Sequence, residues 1–198
     1  MINIVVFASG SGTNFQSIID AAREGQINGR IQGLITNKNN IKAIERARKH
    51  GISHITLNPA DFATRTAYVN TLLDQLAQWQ TDLIVLAGYM IKIPPELIEE
   101  FENRIINIHP SLLPKYGGKG FYGLKVHRAV IANGEKESGC SVHLVTEEYD
   151  DGPILAQRRV PVYASDDPPT LAERILKEEH QLLPEVIAKL ANELNSKN

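Results

Sequence analysis

Asn107 and His109 close the run Arg-Ile-Ile-Asn-Ile-His, residues 104–109, immediately before Pro110. On a strand, residues two apart share a face, so the amide and the imidazole project together while Ile106 and Ile108 point the other way. An amide donor beside an imidazole suits acyl-type transfer, because the donor stabilises an oxyanion and the ring moves a proton. The same two groups would serve as polar caps for the Pro-rich turn that follows, and the residues alone leave both readings open. A second cluster is the acidic loop Glu-Glu-Tyr-Asp-Asp-Gly-Pro, residues 147–153. Its composition is that of a turn; a carboxylate carried by it to His109 would raise the histidine's pKa by favouring imidazolium. The third is Ser-Gly-Ser-Gly-Thr-Asn, residues 9–14. Backbone N–H groups of such a turn, at a helix N-terminus, can face an anion. It lacks the full G-x-G-x-x-G and the Gly-Lys-Ser/Thr of a phosphate loop, and a tight turn with Thr13 or Ser11 as N-cap is the alternative.

Other polar residues carry less. Arg65 reads as a solvated helix residue, His50, His54 and His127 lack metal-ligand spacing, and His143 alternates with apolar neighbours as a packed or edge residue would. Glu178-Glu179-His180 reads first as surface charge; a ligand amine would give Glu179 a role.

These groups need elements to position them. "INIVVFAS" reads as a strand, and "TNFQSIIDAAREGQ" as a helix with Phe15, Ile18, Ile19 and Ala22 at helical spacing. "RIQGLITN" is a second strand, Ile41 to His50 a helix ended by Gly51, and "SHITLN" a third strand. Asp61 to Trp79 reads as a long helix and "DLIVLAG" as a strand covered on both faces. Pro94-Pro95 opens a short helix, and "RIINIH" is the fifth strand. After the Gly-rich loop "YGGKGFYG", a helix spans Leu124 to Asn133, then "CSVHLVTEE" and "ILAQRRVPVY" read as a strand pair, with Pro161 predicting an edge position. A helix from near Thr170, interrupted or kinked at Pro184, ends the pattern. The alternation predicts a single α/β, Rossmann-like domain over residues 1–194: a mostly parallel twisted sheet flanked by helices, an antiparallel strand pair in the second half, and a frayed polar tail at 195–198.

Composition narrows the function classes. The 198 residues carry a formal net charge of −2, with 21 basic and 23 acidic side chains and no basic block, which argues against a nucleic-acid partner. No run is long enough to span a bilayer, and the N-terminus lacks the pattern of a secretory signal, so no membrane partner and a cytoplasmic location are expected. Cys140 is the single cysteine, which leaves no intrachain disulfide and no thiolate cluster.

Taken in order, "VVFASGSGTNFQSII", "DLIVLAGYM", "NIHPSLLPKY", "GCSVHLVTEEYDDGPIL" and "KEEHQLLP" resemble the folate-dependent formyltransferases over nearly the whole chain. The resemblance implies 10-formyltetrahydrofolate as formyl-donor cosubstrate, phosphoribosylglycinamide as acceptor in purine biosynthesis, no metal, and a monomer or weak homodimer. It implies Asn107, His109 and Asp150 as the catalytic trio, with Asp150 keeping the histidine protonated. Gly12, Thr13 and Asn14 would hold the substrate phosphate and Glu179 would receive the amine. Met90, Ile91, Lys92 and Ile93 would form the pterin cleft, with Asn107 beside it and Arg65 near the ligands. Three departures stand out: Ile91 where one branch has Arg, Asp151 where many members have Gly, and a longer loop at 116–123. The mechanism implied is direct amine attack on the formyl carbon, with Asn107 and the His109 imidazolium on the oxyanion and Asp150 assisting the proton. The rivals are hydrolysis of the formyl donor, formylation of an aminoacyl-tRNA, and a non-catalytic nucleotide- or folate-binding module. A chain opening at its first strand and closing on a helix with a short tail is expected to disfavour the first two.

Overall fold

The structure, a computed structural model, describes residues 1–196. Seven strands form one sheet: β1 (Ile2–Ala8), β2 (Gly29–Thr36), β3 (Ser53–Thr56), β4 (Leu83–Leu86), β5 (Ile105–His109), β6 (Glu137–Leu144) and β7 (Ile154–Pro161), in the order β3-β2-β1-β4-β5-β6-β7. The first five are parallel; β6 runs antiparallel to β5 and to β7. The α/β class and the antiparallel pair are as expected, and β7 is the edge strand, with Pro161 as its last residue.

Helices α1 (Thr13–Arg23), α2 (Lys42–Lys49), α5 (Leu124–Ala132) and α6 (Pro168–Asn195) cover one face of the sheet, through a core that includes Phe15, Ile18, Ala43, Val130, Ile175 and Ile187. Helices α3 (Arg65–Gln78) and α4 (Pro95–Glu100) cover the other with Tyr68, Leu72, Leu76 and Leu97. Coverage of both faces explains why β1 from Ile4 onward and all of β4 are continuous apolar runs. The strand order reverses between β1 and β4, and in open α/β sheets that switch point opens a crevice at the strand C-termini.

Several boundaries differ from expectation for local reasons. Helix α3 starts at Arg65, four residues later than Asp61, because Asn58 caps a short 3-10 turn at Pro59–Asp61 and the Thr64 hydroxyl accepts from Ala67 N–H at 3.1 Å. Strand β6 starts at Glu137, three residues before Cys140, where pairing to β7 extends it. Helix α6 passes through Pro184 without interruption. Proline there forfeits one intrahelical donor, and burial of Leu182, Leu183, Pro184 and Ile187 holds the helix across it. Asn195 lies in the helix and donates to Asn28 O at 2.8 Å, so the expected frayed tail is helical at its first residue; 197–198 lie outside the described residues. Among the described residues, no helix is long and apolar enough to cross a membrane.

Candidate active site

The β5–β6 register builds the centre of the site. Asn107 pairs with His143 and His109 with Ser141, so these four side chains share one sheet face. The alternate residues, Ile106, Ile108, Cys140 and Val142, lie on the opposite face in the core. The expected shared orientation of Asn107 and His109 is met: both line one cleft at the strand C-termini, with a volume of about 460 Å³.

Asp150 reaches this cleft from the β6–β7 loop. Its backbone is left-handed, φ 55°, a region few non-Gly residues occupy. Two residues on, a Cβ at Gly152 would lie 1.8 Å from Leu144 O, so the loop can follow this path only with glycine there. The carboxylate accepts from Gly118 N–H at 2.9 Å, and its second oxygen is 3.4 Å from Asn107 Nδ2 and 3.6 Å from His143 Nε2. Burial raises the Asp150 pKa, but His143, His109 and the Gly118 amide outweigh it, leaving the carboxyl below its ordinary range.

His109 is 5% exposed. Its Nε2–H donates to Tyr116 O at 2.8 Å, and Nδ1 lies 3.5 Å from Asp150 Oδ2. The carbonyl can only accept, so the neutral ring carries its proton on Nε2 and turns a lone pair toward the carboxylate. The carboxylate favours the imidazolium as expected, but burial outweighs it, so the net shift of the His109 pKa is downward. The resting pair is therefore a neutral imidazole facing an ionised carboxylate, with room for one proton between them.

His143, read from sequence as a packing residue, is part of this arrangement. Its Nδ1–H donates to Leu144 O at 2.8 Å, leaving Nε2 to accept from the Asn107 amide at 3.1 Å. Asn107 is thereby oriented with its amide nitrogen toward Asp150. The signal was available: His143 and Ser141 alternate with Cys140 and Val142, and antiparallel pairing to β5 would have set them opposite Asn107 and His109.

The far end of the cleft holds Asn14 and Glu179. Glu179 is 7% exposed, which corrects its reading as surface charge, and burial pushes its carboxyl up to about 6. It accepts from Asn14 Nδ2 at 2.7 Å, while Asn14 Oδ1 is buried without a partner. The N-cap of α1 is Gly12, not Thr13 or Ser11: its φ is 67°, and a Cβ there would sit 2.8 Å from Ala43 Cβ. Arg46, which sequence reading passed over, reaches this turn from α2 and donates to Ser11 O at 3.0 Å.

The segment after β4 divides two clefts. Met90 N–H donates to Ser9 Oγ at 2.9 Å, pinning it to the end of β1. Met90 and Ile91 line the large cleft; Ile91, Lys92 and Ile93 line a smaller one of about 90 Å³, walled by Leu86, Val145 and residues 146–150 and sharing Asn107 and Asp150 with the first. Lys92 Nζ lies 5.3 Å from the centre of the Tyr149 ring. Arg65 lines neither cleft. It is exposed and bonds Glu96 through two 2.6 Å contacts. The loop 116–123 contributes Gly118 to Gly123 to the large cleft, and the Leu113-Pro114 peptide before it is cis. Among the described residues, no group of three or more His, Cys, Asp or Glu side chains is placed to hold a metal ion.

A phosphoribosylglycinamide formyltransferase of Escherichia coli (strain K12) is 41% identical over 191 residues, covering 96% of this chain and 88% of that protein. A chloroplastic phosphoribosylglycinamide formyltransferase of Vigna unguiculata is 48% identical over 190 residues, but the chain spans only 61% of its length. The crystal structure of glycinamide ribonucleotide transformylase 1 from Symbiobacterium toebii superposes with a TM-score of 0.90 at 43% identity, over 97% of this chain and 88% of that one. The family model described as formyl transferase matches residues 2–187, from the first residue of β1 into the middle of α6. With the whole sheet and the cleft at its strand ends inside that match, the chain belongs to the formyl transferase family.

Proposed function

We propose that this chain transfers a formyl group from 10-formyltetrahydrofolate to the amine of phosphoribosylglycinamide. The observation that carries the reading is the convergence of Asn107, His109 and Asp150 where two clefts meet, one reaching Asn14 and Glu179 and the other walled by Ile91, Ile93 and Val145. The acceptor's phosphate fits the turn at Gly12, Thr13 and Asn14, where main-chain amides open α1, and its amine fits beside Glu179. The folate heterocycle is assigned to the smaller cleft, where Ile91 joins Leu86, Ile93 and Val145 in the apolar part of the lining.

The donor supplies the formyl carbonyl. One Asn107 Nδ2–H is held by His143 Nε2; the other, in a long 3.4 Å contact with Asp150 Oδ1, is the one that turns to that oxygen, and His109 joins it once Nδ1 is protonated. As the amine attacks, it loses one proton; the His109–Asp150 pair, with its nearest atoms 3.5 Å apart, takes that proton and returns it to the departing folate nitrogen. A C–N bond forms to the amine, one breaks to the folate, and no net proton is gained. Holding both substrates across the strand ends supplies the orientational part of the acceleration.

Loss of 10-formyltetrahydrofolate with purified protein, followed with and without phosphoribosylglycinamide, tests the reading. Consumption that requires the ribonucleotide and yields its formylated product is expected. Equal consumption without it would make the chain a hydrolase of the donor instead.

A further inference from the structure

We infer that Ser141, with Gln157 behind it, is a positioning residue that holds the His109 ring through the turn 111–116. This deepens the proposed formyl transfer and rests on it for its kinetic readout. Ser141 is fully buried and stands opposite His109 on β6, with Gln157 opposite it in turn on β7. Its hydroxyl donates to Ser111 O at 2.6 Å and accepts from Leu113 N–H at 3.0 Å and from Gln157 Nε2 at 2.8 Å. One donor and two acceptor sites are thus filled, the whole capacity of a serine hydroxyl. Gln157 uses its other amide hydrogen on Leu113 O at 3.0 Å. Both side chains therefore act on main-chain groups of the turn that follows β5.

Inside that turn, Ser111 Oγ donates to Lys115 O at 2.7 Å and Lys115 N–H donates to Leu112 O at 3.1 Å. The next residue is Tyr116, whose left-handed backbone, φ 57°, directs its carbonyl to His109 Nε2. That contact fixes which nitrogen is protonated and turns Nδ1 toward Asp150. Ser141 thus joins the two ends of a closed path, from His109 on β5 to the carbonyl that orients its ring, without touching substrate.

The test combines a spectroscopic readout with kinetics. In wild-type protein the His109 Nε2–H should give a protected ¹H–¹⁵N ring signal, assigned by its disappearance in His109→Ala. Ser141→Ala should broaden or abolish it and lower kcat about tenfold, since small misplacements of catalytic groups are costly, while KM for both substrates stays within about twofold. Ser141→Thr, which keeps the hydroxyl, should restore the signal. Gln157 is exposed, so Gln157→Leu should fold and weaken the same signal with a two- to threefold fall in kcat, about the scale of a bond that water can replace. A folded Ser141→Ala protein with the signal intact and kcat unchanged, or with only KM altered, would overturn the inference. Should Ser141→Ala fail to fold, an unchanged signal in Gln157→Leu would overturn it. If the wild type proves not to transfer formyl groups, the signal still decides the positioning role while the proposed function falls.

Discussion

The two halves of the sheet contribute different chemistry to the same cleft. The parallel half, β1 to β4 with α1, offers mainly main chain: the left-handed Gly12, the amides that open α1, and the segment at Met90 pinned to Ser9. The antiparallel half, β6 and β7 with their loop, offers side chains that titrate or orient: His143, Ser141 and Asp150. β5 stands between them and carries Asn107 and His109. The difference teaches a division of labour in which the switch point provides a binding crevice, whereas a carboxylate and a second imidazole arrive only because β6 turns back along β5.

The largest effect is expected at the boundary strand. His109→Ala removes the ring that the antiparallel half orients, and kcat should fall about a thousandfold, the scale of a lost acid–base and oxyanion group. Thermal melting should show the fold intact; turnover near wild type would remove the histidine from the mechanism.

A smaller effect, with a defined pH dependence, is expected where α6 meets the parallel half. Burial raises the Glu179 carboxyl to about 6, so the folded chain binds its proton more tightly than the unfolded chain does. That contribution to stability is complete below the unfolded carboxylate range and is lost as pH rises through about 6. Glu179→Gln cannot ionise, and should be the more stable protein at pH 8 by roughly 2 kcal/mol, with the difference gone near pH 4. Urea melts at the two pH values measure it, and a variant no more stable at pH 8 would show that the carboxylate is compensated as well as the neutral acid. The same change should raise KM for the acceptor more than it lowers kcat.

The smallest effect is expected at Arg65, exposed and paired with Glu96 away from both clefts. Arg65→Ala should leave kcat and the KM for 10-formyltetrahydrofolate within about twofold, as for most surface ion pairs. A large rise in that KM would mean that the side chain leaves Glu96 to meet the ligand.

Much of the parallel half was legible in the sequence because each apolar run is a strand covered on both faces and each helix shows one stripe. The pairing of Asn107 with His109 followed from the two-residue period alone. What escaped depended on register and burial. Asp150 reaches His109 through a left-handed residue and a glycine whose path is set by Leu144 O, and neither is visible before β6 is aligned with β5. The net sign of the His109 shift escaped as well, because the charge partner was weighed without the desolvation that accompanies a buried strand end. Its charged neighbours make Glu179 look like surface, and only the resemblance gives it a role, although its burial was recoverable: Leu171, Ile175, Glu179, Leu182 and Val186 form one buried stripe of α6. A carboxylate in the middle of such a stripe is a stronger pointer to a site than its charged neighbours are to a surface.

The most direct test of the division of labour is Asp150→Asn, which keeps the size of the side chain and its contact with Gly118 while removing the charge that receives the proton. Turnover measured by formyl transfer, beside calorimetric binding of the acceptor, should show kcat lowered about a hundredfold or more with acceptor affinity within a fewfold of wild type. A kcat within twofold of wild type would contradict the account, because the antiparallel half would then supply a scaffold and no proton chemistry.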